Sequence, residues 1–339
     1  MAERLLRLDS IDDYLGAGER RFFSRGYQRA RYGIRDLDAN AAASGPQVTA
    51  RVDVSYPSDW STKDGVDQRP HLSTIDALVL AVQLAEVHLA AGQGLAAADR
   101  SAAVLRKAVL RAGGAPQEEL TGIALAARLV EQRLADAGVL SVYDCTVGGF
   151  RVRCEIEHPV GRGAVAAPDG TGPEAVLGAA EHRFYGSGFT RRRHHIRSVS
   201  VDMDTLTARA AVHFDAEAGV AAHGVGGARQ PSVELVDTFV VSLQLAQVLM
   251  YELDGLTRGA SNTLWMMQTV LVAPPTPLPL PDRADLALPA TVTLANARLL
   301  PLRGGTWRSV DIEGELAGIT LRCMFAHELP AAAAAAVPA

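Results

Sequence analysis

His223, Pro231 and Asp237 follow one another at spacings of eight and six residues. A histidine and a carboxylate brought together can take a proton from one atom and return it to another, which is general acid–base chemistry. Asp237 interrupts an apolar run, and Asp76 interrupts a matching run earlier in the chain. A carboxylate on an apolar helix is costly to bury unless it is paired, and near a helix N-terminus the backbone dipole favours its charge. The plainer alternative is that both aspartates only cap their helices. His223 is then a solvated residue of the Gly-rich stretch AAHGVGGARQ.

The elements that must position these groups repeat. Glu19 to Arg31 lies beside Glu181 to Arg193 without a gap, and Pro70 to Leu89 lies beside Pro231 to Met250. Arg153-Cys154 answers Arg322-Cys323, and His158 answers His327. Four ordered blocks define a tandem duplication. Its units are expected at 1–160 and 175–329, with 330–339 a disordered Ala/Pro tail.

Within each unit the pattern predicts two strands, a long buried helix and four more strands. Tyr27 to Asp36 and Gln47 to Tyr56 alternate as strands. The helices are expected over Ser73 to Leu89 and Val233 to Leu253, apolar almost all round and therefore enclosed. Later strands are expected over Ser261 to Val272, Ala290 to Leu300, Val310 to Glu315 and Ile319 to His327. Ser101 to Ala112 and Glu118 to Ala137 have helical composition, yet they align with strands of the second unit, and tertiary context overrides propensity. The fold class is therefore α+β. It is a double hotdog, two curved antiparallel sheets that each wrap one helix and join edge to edge, which covers an otherwise bare sheet edge.

The segment His223–Pro231–Asp237 resembles the active-site segment of the β-hydroxyacyl-thioester dehydratases. It departs from them at Ser232 and His71, where that family has Gly, and at Leu80 and Val241, where it has Gln. Gln83 and Gln244 stand one turn later. The resemblance implies that His223, Asp76 and Asp237 are catalytic and that Gln83, Gln244, Ser232 and His71 bind substrate. It also implies that the His and the acid of one site come from opposite units. That pairs His223 with Asp76 and leaves Asp237 facing Thr62, which stands in the place of His223 in the first unit. The opening SIDDYLG, running into ERRFF and GY, is similar to the N-terminus of the avirulence protein D family. That likeness implies a β-ketoacyl thioester, carried on coenzyme A or an acyl carrier protein, joined to a sugar-like acceptor. Two other readings stay open: a dehydratase using the same dyad, and an acyl-binding module without turnover.

The remaining residues narrow the field. A formal charge of −5 gives no electrostatic case for nucleic acid. Cys145, Cys154 and Cys323 form no metal spacing and are odd in number, so they are expected reduced and buried. Neither a metal nor a redox cofactor is implied. Gly16-Ala17-Gly18 and Gly224-Val225-Gly226-Gly227 are not nucleotide fingerprints. Arg29 with Arg31, and Arg191 with Arg193, are expected to share a solvated strand face. Glu86 and His88 are polar intruders in the first helix. The N-terminus carries no apolar leader and no run is read as a membrane span, so a cytoplasmic protein is expected.

Overall fold

The computed structural model describes residues 5–39, 47–63, 65–136, 138–166, 172–215, 222–261, 264–276, 278–280, 286–302 and 304–330. The expected Ala/Pro tail lies almost wholly outside them. The chain opens with β1 (Leu5–Ser10) and the helical turn α1 (Asp12–Leu15), then β2 (Arg31–Asp38) and β3 (Gln47–Ser55). A small hairpin, β4 (Thr62–Lys63) and β5 (Val66–Asp67), leads into the long helix α2 (Thr74–Ala91). After the short helix α3 (Ala97–Ala102) come β6 (Val104–Arg111), β7 (Ile123–Ala135), β8 (Gly138–Val147) and β9 (Phe150–His158). The second unit repeats this order. It has the turn α4 (Glu174–Leu177), β10 (Arg193–Asp202), β11 (Thr207–Asp215) and the helix α5 (Leu235–Asp254). Then follow β12 (Leu264–Val272), β13 (Leu288–Leu302), β14 (Gly305–Leu316) and β15 (Ile319–Glu328).

Both long helices are held at their starts by reciprocal caps. The Ser73 hydroxyl accepts from the Asp76 N–H while the Asp76 carboxylate accepts from the Ser73 N–H. Glu234 and Asp237 repeat the arrangement in α5. Every residue of α2 is buried, so the helix runs through the core rather than along its surface. By length and composition alone both helices could cross a membrane, a point the sequence reading missed, but their apolar spans are enclosed by the protein.

Among the described residues thirteen strands form one antiparallel sheet, and the two units meet where β12 pairs with β6, from Gln268 opposite Arg111 to Val272 opposite Lys107. β7 is a strand despite its helical composition. β3 and β8 bond to its two edges, and its first residues alternate buried and exposed. Ser101 to Ala112 divides between the end of α3 and β6. Cys154 lies opposite Ala108 and Cys323 opposite Thr269, equivalent places in the two halves, and both are fully buried free thiols.

Two expectations change. β2 starts at Arg31, because Gly26–Arg29 forms a 3-10 turn, so Arg29 and Arg31 share no strand face. Arg29 instead pairs with Asp59 at 2.5 Å, and in the second unit Arg191 bonds to the Glu181 carbonyl. β1 was not anticipated. It crosses to the second unit and covers the edge of β10, from Leu5 opposite Asp202 to Ser10 opposite Arg197.

Candidate active site

Asp76 is buried, and its partners are hydroxyls and one backbone N–H. Tyr32 donates to Oδ1 at 2.7 Å, Tyr56 donates to Oδ2 at 2.6 Å, and the Ser73 N–H completes the set. Burial pushes the Asp76 carboxyl up from its ordinary range, while the bonds from Tyr56, Ser73 and Tyr32 oppose it. Both tyrosine hydroxyls are pushed well up by burial and by the nearby carboxylate. No cation is among its bonded partners in the described residues.

Asp237, at the same place in α5, is held differently. Arg192 donates to it at 2.7 Å, His194 lies at 2.9 Å, and the Glu234 N–H donates at 2.8 Å. Burial raises its pKa, but Arg192, His194 and that N–H outweigh burial, so the net shift is downward. Arg192 also bonds to Gln230 and to the Ser232 carbonyl and lies 4.9 Å above the Phe184 ring. Ser232, fully buried, donates to Glu234 at 3.0 Å. Burial pushes Glu234 up to about 7, with Arg192 opposing and Asp237 adding to the rise. A buried ion pair of this kind favours the ionised carboxylate, and removing either partner would leave a charge uncompensated. The first unit has Ala30 where the second has Arg192, so no guanidinium reaches Asp76.

A cavity of about 170 Å³ opens at the start of α2, where Ser73 and Thr74 line it. Phe22, Phe23 and Trp60 of the first unit and Trp265 and Met266 of the second give it apolar walls. Arg21, Lys63 and Arg258 line it, and among the described residues no carboxylate does. Lys63 donates to the Ser261 carbonyl and Arg258 to the Thr62 carbonyl, which ties the two units together at the mouth. Tyr56 backs the wall, its ring 4.7 Å from Trp60 and 6.4 Å from Phe22. Asp76, bonded to the lining residue Ser73, therefore lies behind an apolar cavity with cations in its lining that ends on a helix N-terminus, a natural seat for negative charge.

The residues expected from sequence fall in different places. His71 lines this cavity, its ring 5.5 Å from Trp60. Gln244 accepts from Arg21 and donates to the Phe23 and Val240 carbonyls, so it anchors the chain around Phe23 to α5. Ser232 is consumed by the Glu234 network. The dyad does not form: His223 is exposed, its N–H bonds to the His182 carbonyl, and it bonds to neither aspartate. Its loop does cross to the other unit as expected, but at Glu86. A Cβ on Gly224 would lie 2.8 Å from that carboxylate. Ten residues along α2 is about 15 Å from Asp76.

Sequence reasoning missed Tyr32, Tyr56, Ser73, Trp60, Gln247 and Arg258. A signal existed for Ser73, since Ser-x-x-Asp before an apolar run is a capping-box signature. Tyr32 falls at the same repeat position as His194, the residue that meets the other aspartate.

A long buried helix wrapped by antiparallel sheet, repeated in one chain with a cavity at the joint, defines a protein of hotdog type. The chain belongs to the family described as the Pseudomonas avirulence D protein (AvrD), whose model matches residues 6–330. No curated protein matches it. Among solved structures it is similar to the tesB protein of Mycobacterium avium subsp. paratuberculosis, at 9% identity over 87% of this chain and 96% of that one (TM-score 0.40). A second is an acyl-ACP thioesterase from Bacteroides thetaiotaomicron, at 7% identity over 88% and 99% (TM-score 0.37). A third is the dehydratase domain of PpsC from Mycobacterium tuberculosis, solved with C12:1-CoA, at 13% identity over 86% and 97% (TM-score 0.34).

Proposed function

We propose that this protein is a cytoplasmic double-hotdog enzyme that transfers a β-ketoacyl chain from a thioester to a hydroxyl of a sugar-like acceptor. One observation carries the reading: Asp76, held by two tyrosine hydroxyls and no described cation, lies behind a cavity lined, among the described residues, by three cations and no carboxylate. The cationic mouth suits the phosphates of a coenzyme A or acyl-carrier arm, and the aromatic walls suit the acyl chain.

With the thioester carbonyl over the start of α2, the helix dipole stabilises the oxyanion that forms there. The acceptor oxygen attacks the carbonyl carbon, the C–O bond forms and the C–S bond breaks. The acceptor's proton passes through the Tyr56 hydroxyl to Asp76 and then to the departing thiolate, which leaves as a thiol. The absence of a bond between His223 and either aspartate favours transfer over dehydration by the expected dyad. Mass spectrometry of extracts with and without the expressed protein tests the reading. It predicts a new ester or lactone of a β-ketoacyl chain, and a new enoyl thioester instead would overturn it.

A further inference from the structure

The outer face of the first unit's sheet holds a hollow of about 620 Å³ over β6, β9, β8 and β7. Lys107, Arg111, Arg128, Arg151 and Arg153 line it, and among the described residues its only carboxylates are Asp144 and Glu155. Both are already answered. Arg153 holds the two Asp144 oxygens at 2.7 and 2.9 Å, and Lys107 lies 3.4 Å from Glu155. Arg111 donates to the Gln268 side chain at 2.9 Å, a neutral partner. Arg128 and Arg151 are exposed and make no hydrogen bond or ion pair among the described residues. This surplus of positive charge stands on a chain whose formal net charge is −5.

The duplication supplies an internal comparison. Counting outward from Cys154 and Cys323, the strand pairings match Lys107 with Gln268, Arg111 with Val272 and Arg151 with Thr320. Arg128 opposite Asp144 answers Thr293 opposite Glu313, and Thr146 answers Glu315. Arg153 alone keeps a cation at the matching place, Arg322. The second unit builds the same sheet without the other four cations, so the fold does not require them. The basic face also adjoins the first cavity. Arg111 and Arg151 lie opposite each other on β6 and β9, and their chain neighbours Ala112 and Phe150 line that cavity.

From β6 to β7 the cations span three strand steps, about 14 Å, which is close to the width of one helix. A small ligand is held by enclosure, whereas charges spread over an open sheet face match a second charged surface. We infer that this face docks the acidic surface of a protein that carries the acyl thioester, which brings the chain to the neighbouring cavity. The inference rests on the acyl-transfer reading above and makes the donor's carrier a protein rather than free coenzyme A.

The test compares thiol release from a β-ketoacyl chain on an acyl carrier protein with release from β-ketoacyl-coenzyme A. The wild-type protein is set beside two double variants, Arg128→Glu with Arg151→Glu, and Arg128→Thr with Arg151→Thr, the latter taking the residues of the second unit. With the carrier protein, kcat/KM is expected to fall about tenfold or more in the Glu variant, less in the Thr variant, and to fall with added salt. With coenzyme A it is expected to stay within about threefold, since both positions are exposed and lie outside the first cavity. Equal carrier rates in all three proteins overturn the inference. A parallel fall with both donors also overturns it, because the face then holds the phosphates of coenzyme A. Turnover of the coenzyme A thioester alone overturns it too and leaves the transfer reading standing. If neither donor is turned over, titration calorimetry with the acyl carrier protein decides. Binding that the Glu variant loses keeps the docking face and removes the transfer reading, and no binding removes both. Arginine-dependent co-sedimentation with phosphatidylglycerol vesicles, without carrier binding, assigns the face to a membrane and overturns the inference.

Discussion

Asp76 and Asp237 occupy the same position in two copies of one helix, and their neighbours shift their acidities in opposite directions. Burial leaves the Asp76 carboxyl raised against the bonds from its tyrosine hydroxyls, whereas Arg192 and His194 bring Asp237 down. Glu234 beside it shows the cost of the buried network. Its pKa in the folded protein, about 7, lies above the ordinary glutamate value near 4.3. The folded state therefore binds the proton more tightly than the unfolded chain does. The resulting stability is fully present below about pH 4 and is lost as pH rises through 7. Glu234→Gln should therefore raise the melting temperature at pH 8, by at most on the order of 3 kcal/mol of stability, and do little at pH 4. Denaturation curves at both pH values check this, and equal effects at the two would contradict it. Both aspartates were legible in the sequence as carboxylates interrupting apolar runs. Their roles were not, because the difference lies in Ala30 and Arg192, whose side chains reach the helices only after the chain folds.

At the scale of elements, the helices were readable because their apolar runs are long and follow capping residues. β7 needed the repeat alignment, since its composition favours helix and only pairing to β3 and β8 makes it a strand. The crossing of the His223 loop to the other unit was also legible by analogy. Its landing point on Glu86 was not, because sequence spacing does not fix where a loop meets a helix. That landing point holds a buried charge cluster, with Glu86 3.8 Å from Arg183 and 3.7 Å from Arg100. Neither Glu86 carboxylate oxygen, nor any Arg183 guanidinium nitrogen, has a hydrogen bond among the described residues. Removing one partner of a buried pair leaves an uncompensated charge and costs about 3–5 kcal/mol, whereas replacing both with apolar groups is often neutral. Glu86→Leu alone leaves both Arg183 and Arg100 uncompensated and should therefore destabilise the protein strongly, and adding Arg183→Met should restore part of the loss, with Arg100 still lacking its carboxylate. Chemical denaturation of both single variants and the double checks this. Additive losses would show that the charges act independently.

For the whole molecule, the continuous sheet makes the two units one folding body, with β12 and β6 each covering the other's edge. β1 covers the outer edge of β10. An uncovered edge presents unpaired N–H and C=O groups to any other strand. Deleting residues 1–10 should lower the melting temperature and drive association on size-exclusion chromatography. A truncated protein with unchanged stability and oligomeric state would show that β1 is dispensable. This strand was not legible beforehand, since six residues with modest alternation carry too little signal and its partner lies in the other unit.

The claim that Asp76, behind the first cavity, is the proton-transfer group of an acyl-thioester enzyme is tested most directly by thiol release. A β-ketoacyl-coenzyme A is incubated with the wild-type protein, with Asp76→Asn and with His223→Ala, in the presence of polyol acceptors, and free coenzyme A is measured over time. The wild-type protein should release thiol, and Asp76→Asn should be slower by about 10²–10⁴-fold. His223→Ala, at an exposed position that touches neither aspartate, should stay within about threefold of wild type, as surface substitutions away from a site generally do. Thiol release that is unchanged in Asp76→Asn and abolished in His223→Ala would contradict the account.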